Sequence, residues 1–472
     1  MTDPVSGRLV LVNTSLAAFL TPFLSSAIAF AVPNLGEAFH LGFVQVALIP
    51  MVFLIPLASF MIFLGRISDN IGRVRIFRAG LVIFGISSIA AAFSPGYVFL
   101  ISAVALAGTG SAILSTNSTA IVSYMFAQKG RGFALGINAM SVYLGLTLAP
   151  FLGGILIEFA EWRSVFLLSG TLGLAALLLS IVCMQDIEIP RKSSSGLLGA
   201  TFLSGAILSL ASAAAISEVI SFTYAFYIIP VGIVLTALFV SYGLQGKGQA
   251  VPIEMLKGNR KFMVSNLMAL LNYLSTFSIV FIFSVYLQAI FHVSPFTAGI
   301  LILPEPVFMV ALSPFAGKMS DRFGSRYLAS TGMLIIGVSF LGLYLIHPLG
   351  RSDILMLLAV IGSGFGLFSA PNTNSVMGSV SRDHSGTASG FLGTMRFIGQ
   401  LFSIVLATDI ISAYIPRDLT VGMFSGTVIK LTPEYFNSFT SGFRTVMMIS
   451  SLLSLAGAAL SLLTIGSRNN IS

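Results

Sequence analysis

Two short charged segments carry the side chains best suited to reversible ion pairing. They run Gly65-Arg-Ile-Ser-Asp69-Asn-Ile-Gly72-Arg73 and Gly317-Lys-Met-Ser-Asp321-Arg322-Phe-Gly324. Asp69 and Arg73 have the i,i+4 spacing that places opposite charges together on a helix. An aspartate near a helix start would also face the positive end of the helix dipole. Such a cluster can hold one arrangement of helices closed and release it in another, so we expect a gate formed by Gly65, Asp69, Gly72, Arg73, Asp321, Arg322 and Arg396.

Two carboxyl groups within apolar sequence could move a proton. Charge in lipid is costly and often marks a functional pathway. Glu305 stands between two prolines, 12 residues before Gly317, which places it about 18 Å above the inner edge of a ~30 Å apolar core. The prolines would break the helix locally, as is tolerated where backbone lines a cavity. Glu305 and then Asp409 are our candidates for ion coupling, whereas Arg396 is expected to bind carbonyl groups or an acid near the inner gate.

The elements that position these residues must lie in lipid. Of 472 residues, 56% are hydrophobic and 8% are charged, and the mean hydropathy is +0.98; soluble domains carry about 25% charged residues. Apolar stretches of about 20 residues are the unit of such a chain. The predicted fold is an all-α polytopic membrane protein with 14 transmembrane helices, at residues 9–32, 43–64, 76–94, 97–122, 133–156, 164–184, 196–216, 222–243, 263–289, 297–316, 327–346, 353–375, 387–413 and 441–465.

An internal repeat predicts how these helices are grouped. Gly65 and Gly317 are 252 positions apart, which is roughly eight helix-plus-loop units of about 30 residues. Gly132 and Gly145 likewise recur as Gly386 and Gly399, 254 positions later. We expect two six-helix bundles related by an axis along the membrane normal, with two inserted helices between them. The predicted parts are 1–185, 186–250 and 251–472.

The basic residues predict orientation. With an even number of spans and both termini in the cytosol, 18 of the 24 lysines and arginines fall on inner segments and five on outer segments. Positive charge is retained inside during insertion, so we expect a multi-pass protein of the cell membrane with cytosolic termini. The net charge of +8 then serves topology and contact with membrane lipids, and no nucleic-acid partner is expected.

The remaining polar residues predict binding and not catalysis. The sequence has no nucleophile–base pair, P-loop or dinucleotide motif, its four histidines have no metal-ligand spacing, and it has one cysteine. We therefore expect neither an enzyme nor a cofactor or metal site. A bundle poor in buried charge would enclose a cavity suited to amphiphilic or apolar molecules. Five asparagines are candidate substrate contacts, with interhelical hydrogen bonding as the alternative: Asn117, Asn138, Asn272, Asn372 and Asn374.

The segment at 65–77 resembles the signature loop of the major facilitator superfamily, G-x-L-a-D-r-x-G-r-k. Residues 136–154 are similar to the fifth-span motif of its antiporters, with Ala149 where glycine is usual. Further segments resemble the fourteen-span drug:proton antiporters over nearly the whole chain: Trp162-Arg163-Ser-Val-Phe166, Tyr286-Leu287-Gln288, Ser294-Pro295 to Pro304, Gly386-Thr-Ala-Ser-Gly390 and Arg396-Phe-Ile-Gly399.

The resemblance implies a secondary transporter that exports amphiphilic or drug-like small molecules by alternating access. It implies coupling to protons or another ion, and we expect a monomer. It also implies a hinge and packing role for Gly136, Gly145, Pro150, Gly153 and Gly154. Two positions depart from the pattern: Leu24 replaces an acid and Val104 an arginine, and both charges are associated with proton coupling and cationic substrates in that family. A facilitator or importer of a metabolite, and a transporter-shaped receptor or scaffold, therefore remain alternatives.

Overall fold

The computed structural model describes residues 4–41, 43–127, 130–184, 196–219, 222–244, 258–291, 293, 295–346, 350–416 and 433–462. All secondary structure within these ranges is helical, as the sequence predicts. The helices are α1 Pro4–Ala38, α2 Phe43–Ile71, α3 Arg73–Ala92, α4 Tyr97–Met125, α5 Arg131–Ala160, α6 Arg163–Cys183, α7 Leu197–Val219, α8 Phe222–Leu244, α9 Arg260–Phe291, α10 Pro295–Ile302, α11 Pro304–Phe323, α12 Ser325–Leu345, α13 Arg351–Met377, a 3-10 helix Arg382–His384, α14 Ser385–Ser412 and α15 Pro433–Leu462.

Twelve spans in the described ranges are long and apolar enough to cross a membrane. The chain is therefore a multi-pass membrane protein. The two helices predicted between the halves are present as α7 and α8. Their described apolar stretches, Leu197–Ala213 and Phe226–Tyr242, are shorter than the twelve, so fourteen spans stay a prediction.

The helices cluster into two compact units. Unit 1 comprises Met1–Asn259 and Val376–Thr394, and unit 2 comprises Arg260–Ser375 and Met395–Ser472. The segment Val376–Thr394 belongs to the second sequence repeat, yet its contacts are with unit 1. α14 therefore begins in unit 1 and continues into unit 2.

Unit 1 is built from long helix–helix contacts. α1 packs along α5, α3 along α4 and α6, and α2 against α4 and α7, with α8 on α7. Gly145 of α5 needs to be small, because a Cβ there would lie 2.5 Å from the carbonyl oxygen of Phe19 in α1. Small residues allow this close approach of helix backbones.

Unit 2 packs α9 and α12 against α15. A cluster of apolar side chains from α9, α12, α13 and α15 forms part of its core: Met268, Ala329, Met333, Phe368 and Ala458. Hydroxyl groups add a polar contact, since Ser454 donates to Ser275 at 2.8 Å. The helix break expected beside Glu305 lies at Leu303, between α10 and α11.

Candidate functional site

The ion pair predicted between Asp69 and Arg73 forms across a helix junction. α2 ends at Ile71, Gly72 adopts φ 118°, and α3 begins at Arg73. A positive φ is accessible to glycine without strain from a side chain. This turn brings the Arg73 guanidinium back onto Oδ1 of Asp69, with Nη2 at 2.8 Å and Nε at 3.2 Å. Both side chains are only 3% exposed.

The remaining bonds to Asp69 come from the start of a distant helix. The amide of Gly386 donates to its Oδ1 at 2.9 Å. The amide and hydroxyl of Thr387 donate to its Oδ2 at 2.7 and 2.6 Å. The first amides of a helix have no partner within the helix, and its N-terminus attracts negative charge. Asp69 therefore caps α14, and not α3, the helix that follows it in sequence.

Two helix backbones meet beside this cap. A Cβ at Gly65 of α2 would overlap the carbonyl oxygen of Gly386, and a Cβ at Gly386 would lie 2.6 Å from Oδ1 of Asp69. Farther along α14, a Cβ at Gly390 would overlap the carbonyl oxygen of Met61. The absence of side chains at these positions is what allows the Asp69 carboxylate to reach the α14 amides.

Arg73 also binds the segment that precedes α14. Its Nη2 donates to the carbonyl oxygen of Arg382 at 2.6 Å, and its guanidinium carbon lies 5.4 Å from the centre of the Tyr124 ring. The guanidinium of Arg382 lies 5.7 Å from the same ring, within cation–π range. We call these residues the Asp69 cluster: Asp69, Arg73, Tyr124, Arg382, Gly386 and Thr387. Charge-assisted hydrogen bonds shielded from water make it strong.

The second copy of the motif keeps the turn but has a different residue at the position of Arg73. Gly324 has φ 88°, and the hydroxyl of Ser320 donates to the carbonyl oxygen of Gly317 at 2.8 Å, as Ser68 does to Gly65 in the first copy. The position of Arg73 is occupied by Ser325. Asp321 is exposed and accepts a bond from the Asn374 amide at 3.2 Å. Arg322 is also exposed.

The coupling candidates differ in burial. Glu305 is 2% exposed in the first turn of α11. Its Oε2 has no hydrogen-bond partner among the described residues. The backbone of Glu305 is packed tightly on α13, since a Cβ at Gly362 would overlap its carbonyl oxygen. Asp409 is exposed. Of the two coupling candidates, only Glu305 is therefore a buried carboxyl group.

Arg396 is held within unit 2 by a hydroxyl and an aromatic ring. Its Nη2 donates to Oγ1 of Thr373 at 2.5 Å, and its guanidinium carbon lies 5.8 Å from the centre of the Tyr273 ring. These partners differ from the carbonyl groups or acid that the sequence predicts.

The five candidate asparagines occupy different environments. Asn117 donates to Ile113 of its own helix at 3.0 Å, and Asn138 donates to Thr14 of α1 at 3.4 Å. Asn374 donates to Ser320 and Asp321. The amide groups of Asn272 and Asn372 are buried and have no partner among the described residues. Buried amides normally find a partner, which makes these two the better substrate candidates.

The candidate hinge residues lie along α5, which continues through Pro150. Gly136 is buried, and Gly145 faces α1 as described above. A Cβ at Gly153 would make an ordinary 3.6 Å contact with Ala27, and one at Gly154 would meet nothing within 4 Å. Close backbone approach therefore explains Gly145 but not Gly154.

The sequence does not predict three members of the Asp69 cluster: Tyr124, Arg382 and Thr387. Backbone amides and carbonyls have no sequence signature, so the partners of Asp69 and Arg73 are not visible in the residue types. The small residues Gly386 and Gly390, one turn apart, were the available signal. Among the described residues, no group of three or more His, Cys, Asp or Glu could hold a metal ion.

The sequence profile of the Major Facilitator Superfamily matches residues 14–195 and 191–404. The chain belongs to this superfamily. Its proteins are membrane transporters of small molecules and not enzymes.

Relatives within the superfamily differ in what they carry. The riboflavin transporter RibZ of Clostridioides difficile is 25% identical over 416 residues, 87% of this chain and 89% of RibZ. The multidrug efflux pump LfrA of Mycolicibacterium smegmatis is 26% identical over an alignment that covers 97% of this chain and 96% of LfrA. Among solved structures, the proton:xylose symporter XylE aligns with a TM-score of 0.67 at 14% identity, covering 98% of this chain and 96% of XylE. This structural similarity shows that the two proteins have the same fold.

Proposed function

We propose that this protein is a secondary active transporter that exports amphiphilic or drug-like small molecules by alternating access, with the Asp69 cluster as its gate. One observation carries the proposal: the buried Asp69 carboxylate joins Arg73 of α3 to the first amides of α14. These bonds depend on one another, because breaking a buried pair leaves an uncompensated charge. The cluster therefore favours two discrete arrangements, fully made or fully released. Since α14 continues into unit 2, release at its N-terminus would free a helix shared by both units.

The expected substrates follow from the interior residues. Leu24 and Val104 are fully buried apolar residues at the positions where similar antiporters carry an acid and an arginine. Buried amides, not buried charges, are then the candidate anchors, which suits neutral amphiphiles better than small ions. Similarity to LfrA over 97% of the chain supports drug-like substrates.

A second candidate function is transport of a metabolite. It is favoured by similarity to a riboflavin transporter over 87% of the chain, and riboflavin is itself a planar, largely uncharged molecule. Both candidate functions require a binding site of the same chemical character, but they differ in the range of molecules that the protein would carry.

Energised inverted membrane vesicles would separate them. We expect the wild type to accumulate several unrelated amphiphilic dyes, and Asp69→Asn vesicles with equal protein content to accumulate them more slowly. Uptake of riboflavin into right-side-out vesicles, with no dye accumulation in inverted vesicles, would establish the second candidate. Failure of both dyes and riboflavin to accumulate, with correctly inserted protein, would contradict active export of either class.

Topology and coupling are part of the proposal. We propose fourteen spans in the cell membrane, cytosolic termini, bundles at 1–185 and 251–472 around inserted helices at 186–250, a monomeric state, and Glu305 as the coupling acid. If α7 and α8 cross the membrane, a cysteine replacing Ser221 will react with an impermeant reagent from outside. Cysteines replacing Lys192 and Lys247 will react only from the cytosolic side. Labelling of all three from one side would reduce the count to twelve.

A further inference from the structure

A basic cavity adjoins the Asp69 cluster within unit 1. Its volume is about 270 Å³. It is lined by the end of α4, the first residue of α5, and the segment that leads from α13 into α14. Of its described lining residues, two are arginines, Arg131 and Arg382, and none is acidic. Tyr124 and Arg382 also belong to the Asp69 cluster, but the proposed transport cycle assigns no ligand to the cavity itself.

We propose that this cavity binds a phosphate-bearing anion, either the headgroup of an acidic phospholipid or a soluble phosphate ester. Arg131 and Arg382 reach it from different elements, and a guanidinium group presents a planar set of donors that matches phosphate oxygens. The Tyr124 ring, 5.7 Å from the Arg382 guanidinium carbon, supports that side chain in the cavity wall. Ser123, Ser381 and Ser385 add hydroxyl groups to the lining.

The electrostatic surroundings favour an anion. α5 begins at Arg131, so the positive end of its dipole lies at the cavity wall. Two acidic residues, Asp69 and Asp383, lie near the cavity in sequence or in space. Asp69 is already neutralised by Arg73 and the α14 amides, and Asp383 is exposed to solvent. The volume is below the roughly 300–1,000 Å³ typical of drug-sized ligands, so it fits a headgroup or small ester better than a large substrate.

The position of the cavity connects it to the gate. The carbonyl oxygen of Arg382 accepts bonds from Arg73 at 2.6 Å and from the Ser385 hydroxyl at 2.7 Å. An anion held between Arg131 and Arg382 would tie α5 to this segment and favour the closed Asp69 cluster. This regulatory step rests on the proposed function, whereas anion binding does not.

Binding is measured on the full-length protein without a transport assay. Calorimetry with glycerol 3-phosphate, for protein in detergent, tests the soluble source. Native mass spectrometry after titration with phosphatidylglycerol or phosphatidylcholine tests the lipid source. Arg131→Gln and Arg382→Gln each remove one wall of the site. Arg260→Gln is the matched control, because it removes the same charge from an exposed arginine outside the cavity.

We expect saturable binding of glycerol 3-phosphate, or of phosphatidylglycerol in preference to phosphatidylcholine. Either Arg131→Gln or Arg382→Gln should weaken it at least about tenfold, as expected for loss of hydrogen bonds to a charged group, and Arg260→Gln should not. Arg131→Lys, which keeps the charge, should retain part of the affinity. The probe that binds identifies the source. No saturable binding of either probe, or binding equally strong in both glutamine variants, would overturn the site. A protein that binds the anion but transports neither dye nor riboflavin would contradict only the proposed function.

Discussion

Thr387 donates twice to one oxygen of Asp69, through its backbone amide at 2.7 Å and its hydroxyl at 2.6 Å. These residues are 318 positions apart in sequence, yet they form the kind of N-terminal helix cap that is usually made by a residue next to the helix in sequence. The hydroxyl can be removed without changing the backbone or the shape of the side chain. Thr387 is therefore the position at which the strength of the gate can be adjusted most finely.

Thr387→Val should weaken the gate, and Thr387→Ser should not. Valine keeps the branched shape but loses the hydroxyl bond to a charged acceptor, a contribution of about 1.5–3 kcal/mol. Because transport passes through the closed state that this bond stabilises, we expect the initial rate of dye accumulation in vesicles to fall at least about tenfold for Thr387→Val. Serine should stay within about twofold, because it keeps the bond. Equal rates for the two variants would show that the hydroxyl has no part in gating.

Gly65→Ala should force α2 and α14 apart. The added methyl group would overlap the carbonyl oxygen of Gly386, and overpacking of this kind costs about 1–3 kcal/mol. We expect a lower thermal midpoint and slower transport. Gly7→Ala is the control, since its methyl group meets nothing within 4 Å, and we expect it to behave as wild type. Similar losses from both substitutions would point to general helix effects and not to this contact.

The sequence predicted the ion pair but not its setting. The i,i+4 spacing of Asp69 and Arg73 identified two charges that do meet, because proximity along the chain limits where they can go. It could not reveal that Gly72 ends one helix between them, nor that the third partner is a set of backbone amides on α14. The repeat was informative but incomplete: it located Asp321 and shows Ser325 at the position of Arg73, but only the structure shows the hydrogen bond from Asn374 to Asp321.

For Glu305, the sequence predicted a position within the membrane but not the contact that holds its backbone. The neighbouring prolines indicated a break, which occurs at Leu303. The tight contact with Gly362 of α13 could not be read from the sequence, since a glycine in an apolar span has many uses.

Glu305→Gln should separate coupling from movement. Glutamine fills the same volume but cannot carry a proton, so we expect proton-driven accumulation to be abolished while substrate exchange across the membrane continues. Asp409→Asn is the control, because Asp409 is exposed, and it should retain accumulation. Counterflow and pH-gradient-driven uptake in proteoliposomes measure the two activities. Unchanged uphill transport by the glutamine variant would remove Glu305 from the mechanism.

Asn272→Leu should affect substrate binding and not stability. The buried amide has no partner among the described residues, so its removal should be neutral or stabilising in the free protein. We expect a higher half-saturating substrate concentration with an unchanged or raised thermal midpoint. Asn374→Leu should instead lower the stability of the protein, because it breaks hydrogen bonds to Ser320 and Asp321 at a cost of about 1–3 kcal/mol. A loss of stability at Asn272 with unaltered substrate dependence would assign it a structural role.

The most direct test of the gate is the distance between α2 and the segment before α14. Spin labels on cysteines replacing Ile71 and Ser381, both exposed, would report it in a background in which Cys183 is alanine. Breaking a buried ion pair costs about 3–5 kcal/mol, so Asp69→Asn should shift at least about nine-tenths of the short-distance population to a longer distance, with transport reduced and membrane insertion intact. Asp321→Asn should leave the distribution as in wild type. If Asp69→Asn retains the wild-type distances and the wild-type transport rate, the Asp69 cluster is not the gate.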